Sequence, residues 1–358
     1  MQNKKINIAV ISGGLSNERD VSIKSGRQVF DNLSDIKYNK HLIEITKNGQ
    51  WLLKENNLTV NPKKGQAKAL TIMHPRQGIV KNDLKQFDVV FLALHGKFGE
   101  DGKIQSILDI LRIPYTGSGV LASALGMNKT KTLEFLKNSG ISLPKFLSLA
   151  KNKKNDIKTI DKLILKKIKY PCVVKPNESG SSIGISIVSS FKKLEKAMRD
   201  AFREDDAILI EEFIAGREIT CGVLGNSKQT KLIALPPVEI ISKNDFFDYE
   251  AKYFSEQTIE ICPAKITESL TKKIQELAKK IHDLLGCDGL TRSDFILKNN
   301  KFYFLEINTL PGLTEQSLCP KEARATGISF GEFLDKQVDL AMKKYGKKVK
   351  PKSKGWSA

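Results

Sequence analysis

Cysteine and histidine are scarce in this chain of 358 residues, which contains five cysteines and four histidines. The cysteines form no CxxC pair, and the histidines are dispersed without a spacing typical of metal ligands. The sequence therefore excludes a disulfide framework and disfavours a thiolate zinc site. Any metal that the protein binds is expected to be a hard cation held by oxygen atoms.

Long apolar runs are also missing, since none reaches the roughly 18 residues that a membrane-spanning helix requires. The first apolar run, Ile6 to Ile11, ends at Gly13 and Gly14, so it is interpreted as a strand and turn rather than a leader. These features predict a cytoplasmic protein with no membrane partner.

Acidic residues are outnumbered, with 40 Asp and Glu against 59 Lys and Arg, and the formal net charge is +19. Such a charge can indicate a polyanionic partner. The lysines are spread over the whole chain, however, and no nucleic-acid-binding motif is present. We therefore expect a solvated lysine-rich surface, no nucleic-acid partner and an anionic small substrate.

Three successive units are predicted, followed by a basic tail. Residues 1–117 alternate strand and helix patterns and are predicted to form an open α/β (Rossmann-like) domain with polar loops after its strands. A central unit spans residues 118–214, a third unit spans 215–345, and the tail covers 346–358. The expected fold class is α+β with three lobes.

Apolar spacing predicts the main elements of these units. Strands are expected over 6–11, 87–94, 172–175, 208–213, 219–224, 293–298 and 302–307, and helices over 21–33, 128–139, 191–202, 268–285 and 330–344.

The most informative segment is residues 292–308, RSDFILKNNKFYFLEIN, in which two β-rich runs flank an Asn-Asn pair suited to a hairpin turn. A three-residue loop would place Asp294 opposite Glu306, with Arg292 and Asn308 on the same face. A two-residue loop would send the two carboxylates to opposite faces unless a β-bulge restored the register.

Two carboxylates buried at cross-strand distance repel each other, so a cation is expected between them. The oxygen atoms of Asp294, Glu306 and Asn308 suit Mg²⁺, which keeps some waters and shares phosphate oxygens. The alternative is a structural network in which Arg292 alone neutralises the two acids.

A second segment, Lys175 to Gly184, joins a strand to a loop in which Gly180 and Gly184 bracket two serines. Glycines allow backbone N–H groups to approach phosphate oxygens. Lys129, near a predicted helix start, is another candidate phosphate ligand. The loop lacks the P-loop pattern, and a flexible turn explains it equally well unless it is paired with Lys175.

Three further positions are ambiguous by themselves. The strand that ends near Glu211 could pair its backbone with an adenine edge, although it could equally be any strand end. Glu18, in the loop after the first strand, is interpreted as an anion that faces a cationic ligand group. His95 has no partner visible in the sequence and is interpreted by itself as a packed residue.

Taken together, these segments resemble the D-alanine–D-alanine ligases of the ATP-grasp superfamily. The shared motifs span residues of about 5 to 342 in order: GGLSNERDVS, LALHGKFGEDG, YTGSGVLASALGMNK, VVKPNESGSSIG, LIEEFIAGRE, DYEAKY, RSDF, LEINTLPG and SLCP. The resemblance implies an ATP-grasp fold. It also implies that ATP phosphorylates the carboxylate of one D-alanine and that the amine of a second attacks the acyl phosphate, in the service of peptidoglycan precursor synthesis.

The resemblance also implies a nucleotide and metal site. Two Mg²⁺ ions, which Mn²⁺ could replace, would be held by Asp294, Glu306 and Asn308. ATP as co-substrate would contact Lys129, Lys175, Ser181, Ser182, Glu211, Glu212, Ile214 and Glu218.

The amino-acid site implied by the resemblance lies beside it. Glu18 would hold the ammonium of the first D-alanine, with His95 nearby. Arg292 and the backbone N–H of Gly312 would form an oxyanion hole. The carboxylate of the second D-alanine would be received by Ser317 and Leu318, assisted by Lys252, and the triad that closes the site would consist of Tyr253, Ser181 and Glu18.

Two alternatives remain open. One is a ligase of the same superfamily that accepts D-lactate or D-serine; Tyr253, preceded by Lys252, favours an amine acceptor over a hydroxy acid such as D-lactate. The other is a nucleic-acid-binding protein on a decayed ligase fold, against which the intact acids at 294 and 306 argue. The resemblance further implies a homodimer, and the basic tail has no assigned role.

Overall fold

The structure, a computed structural model, describes residues 5–54, 67–69, 83–152, 156–180, 183–242 and 258–346. Within these ranges the chain forms three β-sheets with helices packed against them, as the predicted α+β class requires. None of the helices in these ranges is both long and apolar enough to cross a membrane.

The helices of the described ranges are numbered in chain order. They are α1 (Arg19–Asn32), α2 (Lys103–Ile110), α3 (Val120–Met127), α4 (Lys129–Leu136), α5 (Ile157–Lys167), α6 (Phe191–Glu204), α7 (Glu268–Leu284), α8 (Leu318–Ala325) and α9 (Phe330–Lys344).

The first sheet contains β1 (Ile6–Gly13), β2 (Tyr38–Ile45), β3 (Trp51–Lys54), β4 (Ala67–Ala69) and β5 (Val89–Leu92). Their order is β4-β3-β2-β1-β5, and β1 runs parallel to both β2 and β5. Because parallel strands end at the same edge of a sheet, the loops after β1 and β5 start side by side. These loops carry Glu18 and His95.

The second sheet contains β6 (Phe146–Ala150), β7 (Cys172–Pro176), β8 (Ser186–Val188) and β9 (Ala207–Glu212), in the order β6-β9-β7-β8. All three pairings are antiparallel. Apolar side chains of α5 and α6 at helical spacing are buried with the inner residues of this sheet in one cluster. One face of the sheet is therefore packed against the two helices, and the loop after β7 begins at the end of the sheet.

The third sheet contains β10 (Arg217–Leu224), β11 (Ile233–Ala234), β12 (Val238–Ser242), β13 (Thr258–Ile261), β14 (Leu290–Lys298) and β15 (Lys301–Asn308). Its order is β13-β12-β10-β14-β15, with β11 paired to β10. Helix α7 packs against β10 and β14. The rings of Phe295, Phe302 and Phe304 are buried in the core below the hairpin, although β15 is the edge strand of this sheet.

Helix α9 joins the third sheet to the first. It begins with a capping box formed by Ser329 and Glu332. Its apolar face, including Phe333 and Val338, is buried in a cluster with Phe91 of β5 and residues of β1. The C-terminal helix therefore holds the lobe that carries the hairpin against the lobe that carries Glu18.

His282 of α7 predicts how stability depends on pH. The ring is fully buried, its Nδ1 accepts from the Thr291 hydroxyl at 2.7 Å, and its Nε2–H donates to the Gly225 carbonyl at 3.2 Å. Burial lowers its pKa to about 4 from 6.5. Because the unfolded chain binds this proton at higher pH than the folded chain, the stability that neutral His282 contributes is lost as pH falls below 6.5, by about 2 kcal/mol at pH 5.

Urea unfolding of the wild type and of His282→Gln at pH 7.5 and pH 5 isolates this effect from other titrations. The cost of the substitution is expected to shrink by about 2 kcal/mol at the lower pH. A cost that is equal at the two pH values would contradict the assignment.

Candidate active site

The turn of the β14–β15 hairpin contains two residues rather than three. Asn299 and Asn300 have φ angles of 50° and 58°, and Lys298 pairs directly with Lys301. Asparagine is one of the few residues that adopts this left-handed conformation readily. The three-residue loop considered from the sequence is therefore wrong.

A β-bulge restores the register that a two-residue turn would otherwise lose. The pairing shifts by one residue next to Asp294, and Leu305 is the extra residue on β15. Asp294 consequently pairs with Glu306, and Arg292 pairs with Asn308. The four side chains line one cavity, as the sequence analysis expected for the favourable register.

Asp294 is the most heavily hydrogen-bonded acid of this cluster and is 5% exposed. Arg292 donates through Nε to Oδ1 and through Nη2 to Oδ2, both at 2.8 Å. The Thr220 hydroxyl donates to Oδ1 at 2.6 Å, and the Asn308 amide donates to Oδ2 at 3.2 Å. The two charge-assisted bonds from Arg292 fix the plane of its guanidinium. The ion pair between Arg292 and Asp294, which was considered as the alternative to a metal, is therefore present.

The oxygen atoms of the cluster fit a hard cation. Glu306 lies 3.3 Å from the Lys129 ammonium and shares the cavity with Asp294 and Asn308. No group of three or more His, Cys, Asp or Glu side chains within the described ranges is arranged to hold a metal. The three oxygen ligands of the hairpin are the carboxylates of Asp294 and Glu306 and the amide of Asn308. Such a set leaves positions open for water and phosphate oxygens, as Mg²⁺ requires.

The cavity has a volume of about 350 Å³ and brings most of the predicted amino-acid and metal ligands together. Residues from the loop after β1, from both strands of the hairpin and from the start of α8 line it. The predicted site residues among them are Glu18, His95, Glu218, Arg292, Asp294, Glu306, Asn308, Gly312, Ser317 and Leu318.

The remaining predicted nucleotide ligands lie around the second sheet. Lys175 and Glu211 form a buried ion pair of 2.6 Å between β7 and β9. Glu212 ends β9, and Ile214 follows it; these four residues do not line the cavity. Lys129 connects the two regions, because its ammonium donates to the Ser179 carbonyl at 2.7 Å and lies near the hairpin.

Glu18 is in close contact with two glycines from different lobes. A Cβ atom built on Gly96 or on Gly180 would lie 2.4 Å from Oε2 of Glu18, so a side chain at either position would displace that carboxylate. Gly96 also has φ of +68°, which favours glycine. The loop after β7 therefore reaches the first lobe at the carboxylate predicted to hold an ammonium group.

His95 has two partners that its sequence neighbourhood does not show. Its Nδ1–H donates to the Leu310 carbonyl, and its Nε2 accepts from the Ser25 hydroxyl, both at 3.0 Å. Burial lowers the pKa of His95, so the ring is neutral at pH 7 in one tautomer. It is thus a packed residue, as expected, and also lines the cavity.

Comparison with known proteins decides the family. The family model for the D-ala D-ala ligase N-terminus matches residues 7–118, and the model for the D-ala D-ala ligase C-terminus matches residues 135–339. A curated D-alanine–D-alanine ligase from Carboxydothermus hydrogenoformans is 40% identical over 94% of this chain and 98% of its own length. The chain belongs to the D-alanine–D-alanine ligase family.

Solved structures agree with this assignment to the family and its ATP-grasp fold. The VanG D-Ala:D-Ser ligase from Enterococcus faecalis is 33% identical, with a TM-score of 0.81 and coverage of 94% of this chain and 100% of that one. The D-alanine–D-alanine ligase from Bacillus anthracis, solved in complex with ATP, is 31% identical, with a TM-score of 0.73 and coverage of 95% and 99%. The resemblance stated from the motifs is therefore confirmed.

Glu100 is a residue of this ligase family member that sequence reasoning missed. Its carboxylate accepts from the backbone N–H of Gly96 at 3.0 Å, of Thr309 at 3.1 Å and of Leu310 at 3.0 Å. Burial raises its pKa to about 7. Glu100 thereby ties the loop after β5 to the segment that leads to Gly312. The GEDG sequence was the available signal, but two of the three partners of Glu100, Thr309 and Leu310, lie more than 200 residues away.

Gly312 and Ser317 are in contact, since a Cβ on Gly312 would lie 2.9 Å from Ser317 Oγ. The Ser317 hydroxyl also accepts from the Thr314 N–H at 3.1 Å, and Ser317 is the residue that precedes α8. The predicted oxyanion and acceptor positions are therefore adjacent. Four predicted residues lie outside the described residues, namely Ser181, Ser182, Lys252 and Tyr253.

Proposed function

We propose that this chain uses ATP to join two D-alanine molecules into D-alanyl-D-alanine through a D-alanyl phosphate, for peptidoglycan precursor synthesis. The observation that carries the proposal is the single cavity in which the Arg292–Asp294–Glu306–Asn308 cluster faces Glu18 and the start of α8. A carboxylate does not react with an amine directly, and phosphorylation supplies the leaving group.

Glu18 holds the ammonium of the first D-alanine in this proposal. Its carboxylate lies against Gly96 and Gly180. An ammonium group bound to this carboxylate would be enclosed between two lobes. Neutral His95 adds no competing positive charge beside that ammonium. The carboxylate of the same molecule then extends toward Arg292.

Asp294, Glu306 and Asn308 would hold Mg²⁺, which would neutralise the phosphates of ATP and orient the terminal one. Lys129 and Lys175 would bind phosphate oxygens, and Glu211, Glu212, Ile214 and Glu218 would contact adenosine. The Lys175–Glu211 pair supports this arrangement, because it holds the lysine at the end of β7 where the loop begins. Ser181 and Ser182, which follow in the sequence, would add hydroxyl donors to the phosphates.

Arg292 and the Gly312 N–H would stabilise the oxyanion that forms when the second amine attacks. Asp294 holds the guanidinium in one plane before substrate binds, so little reorganisation accompanies the reaction. Ser317 and Leu318, with Lys252, would receive the acceptor carboxylate. Tyr253, Ser181 and Glu18 would close the site and exclude water, which hydrolyses acyl phosphates.

D-Serine is the acceptor that competes with the second D-alanine in this proposal. The similarity to VanG, a D-Ala:D-Ser ligase, is the observation that favours it. D-Lactate is the other acceptor that the chemistry permits. Tyr253 and Lys252 support an amine acceptor over this hydroxy acid, as the resemblance implies.

Release of ADP, measured with ATP, Mg²⁺ and D-alanine and with D-serine, D-lactate or L-alanine as second substrate, tests the function. We expect kcat/KM for D-alanine to exceed that for each alternative by at least about tenfold at neutral pH. A preference for D-serine or D-lactate would change the acceptor, and the absence of ADP release dependent on D-alanine would overturn the ligase proposal.

We further propose that the enzyme acts in the cytoplasm as a homodimer. Light scattering of the purified chain tests the oligomeric state, and a mass equal to that of one chain would contradict it.

A further inference from the structure

Glu322 of α8 is a fully buried carboxyl group outside the set of residues so far assigned to the reaction. Its Oε2 accepts from the Gly222 N–H at 3.0 Å, and its Oε1 has no hydrogen-bond partner among the residues that the structure describes. Burying a carboxyl group with an unsatisfied oxygen is unfavourable. A residue retained in such a place needs a compensating interaction.

The surroundings of Glu322 lead to Arg292. Gly222 lies on β10 directly opposite Arg292 on β14. A Cβ on Gly222 would lie 2.2 Å from Glu322 Oε2 and 3.3 Å from Cys319 Sγ, so the missing side chain makes room for the carboxyl group beside the arginine. Directly opposite residues of an antiparallel pair point to the same face of the sheet, so Glu322 packs beside the position from which Arg292 extends into the cavity.

The charge of Arg292 acts on this carboxyl group. Burial raises the pKa of Glu322 to about 8, and the positive charge of Arg292 opposes that shift more than any other charge does. Asp294 also acts on Glu322 and raises its pKa. Arg292 thus donates from two nitrogens to one acid, Asp294, and lies near a second acid, Glu322.

Helix α8 connects this carboxyl group to the acceptor end of the cavity. Ser317 precedes the helix, Leu318 begins it, and both line the cavity. Glu322 lies about one turn further along the same helix. Glu322 contacts β10 next to Arg292 and belongs to the helix whose first residues line the acceptor end of the cavity. It can therefore set the distance between Arg292 and the acceptor position.

We propose that Glu322 is a positioning residue, whose buried carboxyl group fixes the Arg292 guanidinium relative to the acceptor site at the start of α8. It touches no substrate and acts through Arg292. This inference rests on the proposed function, in which Arg292 stabilises the oxyanion. A correctly placed guanidinium matters most in the transition state, so loss of Glu322 should lower kcat more than it raises KM.

Glu322→Gln is the central variant, measured at pH 9, where the wild-type carboxyl group, with its pKa of about 8, is ionised. The amide oxygen can still accept from Gly222 while the negative charge is removed. We expect kcat for ADP release to fall about tenfold, with KM for ATP within about twofold of the wild type. The exposed Glu276 of α7, which pairs with Lys279, provides the control variant Glu276→Gln, with unchanged kinetics expected. Thermal unfolding of each variant checks the fold.

A double-mutant cycle with Arg292→Lys distinguishes positioning from a general structural role. The readout, also at pH 9, is the affinity for a phosphinate analogue of D-alanyl-D-alanine, whose tetrahedral anionic centre resembles the intermediate. Glu322→Gln is expected to weaken binding about tenfold with Arg292 present and less than about twofold with lysine there.

Equal weakening in both backgrounds, or no weakening in either, would overturn the proposal. If Glu322→Gln does not fold, Glu322→Asp, which keeps the charge but withdraws it, is measured by the same cycle with the same criteria. A wild-type protein without ADP release dependent on D-alanine would instead reject the proposed function. Failure of the function and failure of this inference are therefore separate results.

Discussion

Glu306→Gln is expected to lower turnover by at least about a thousandfold while the fold is retained. Glu306 supplies one of the two carboxylates of the Arg292–Asp294–Glu306–Asn308 cluster, and the bulge at Leu305 places it opposite Asp294. Glutamine has nearly the same shape but lacks the negative charge. A site with a single carboxylate would hold a divalent cation weakly, and several kcal/mol of transition-state stabilisation would be lost.

Steady-state ADP release at increasing Mg²⁺ concentration measures this effect, and thermal unfolding measures the fold. Glu134→Gln is a matched control, because Glu134 pairs with Lys131 at 2.9 Å on the exposed side of α4, the helix that also carries Lys129. The control should retain normal turnover. Turnover near the wild-type value in Glu306→Gln would remove Glu306 from the metal site.

Long periodic segments were the most predictable part of the fold. The predicted bounds of 330–344 coincide with those of α9, and the prediction of 268–285 differs from α7 by one residue. Both helices bury one apolar face in a large core, so a regular spacing of 3.6 residues is required of their sequences. A prediction from apolar spacing succeeds where packing imposes that spacing.

Several elements with weaker patterns were not predicted. Helix α5 covers residues 157–167 and buries only Ile160 and Ile164, while β2 covers 38–45 with partly exposed residues at several positions. Helix α8 contains Pro320 in its first turn, where proline is tolerated but gives no apolar signal. Their placement depends on tertiary contacts, which the local sequence does not show.

The candidate site divides in the same way. The convergence of Asp294 and Glu306 was predicted because both lie on one hairpin, although the turn length was wrong and a bulge supplied the register. The contact between His95 and Leu310 joins residues 215 positions apart. Glu322 belongs to the same class, since its contact with Gly222 joins residues 100 positions apart. No local pattern indicates such contacts.

Arg292→Lys is expected to lower kcat by about a hundredfold to a thousandfold, although the positive charge is conserved. Arginine donates from two nitrogens to the two oxygens of Asp294, each at 2.8 Å. Lysine has one ammonium on a flexible chain and cannot be held in a plane by that carboxylate. The hydrogen bond to the oxyanion would then form without a preorganised direction.

The kcat for ADP release and the affinity for the phosphinate analogue should both fall, while the affinity for ATP changes by less than about threefold. Arg217→Lys is the matched control, because Arg217 on β10 makes a similar fork to Glu239, with both nitrogens at 2.6 Å, and does not line the cavity. If both variants lost the same activity, the effect would belong to the stability of the sheet. If Arg292→Lys kept its turnover within about fivefold, Arg292 would act only as a counter-charge to Asp294, because a charge alone does not require the fork.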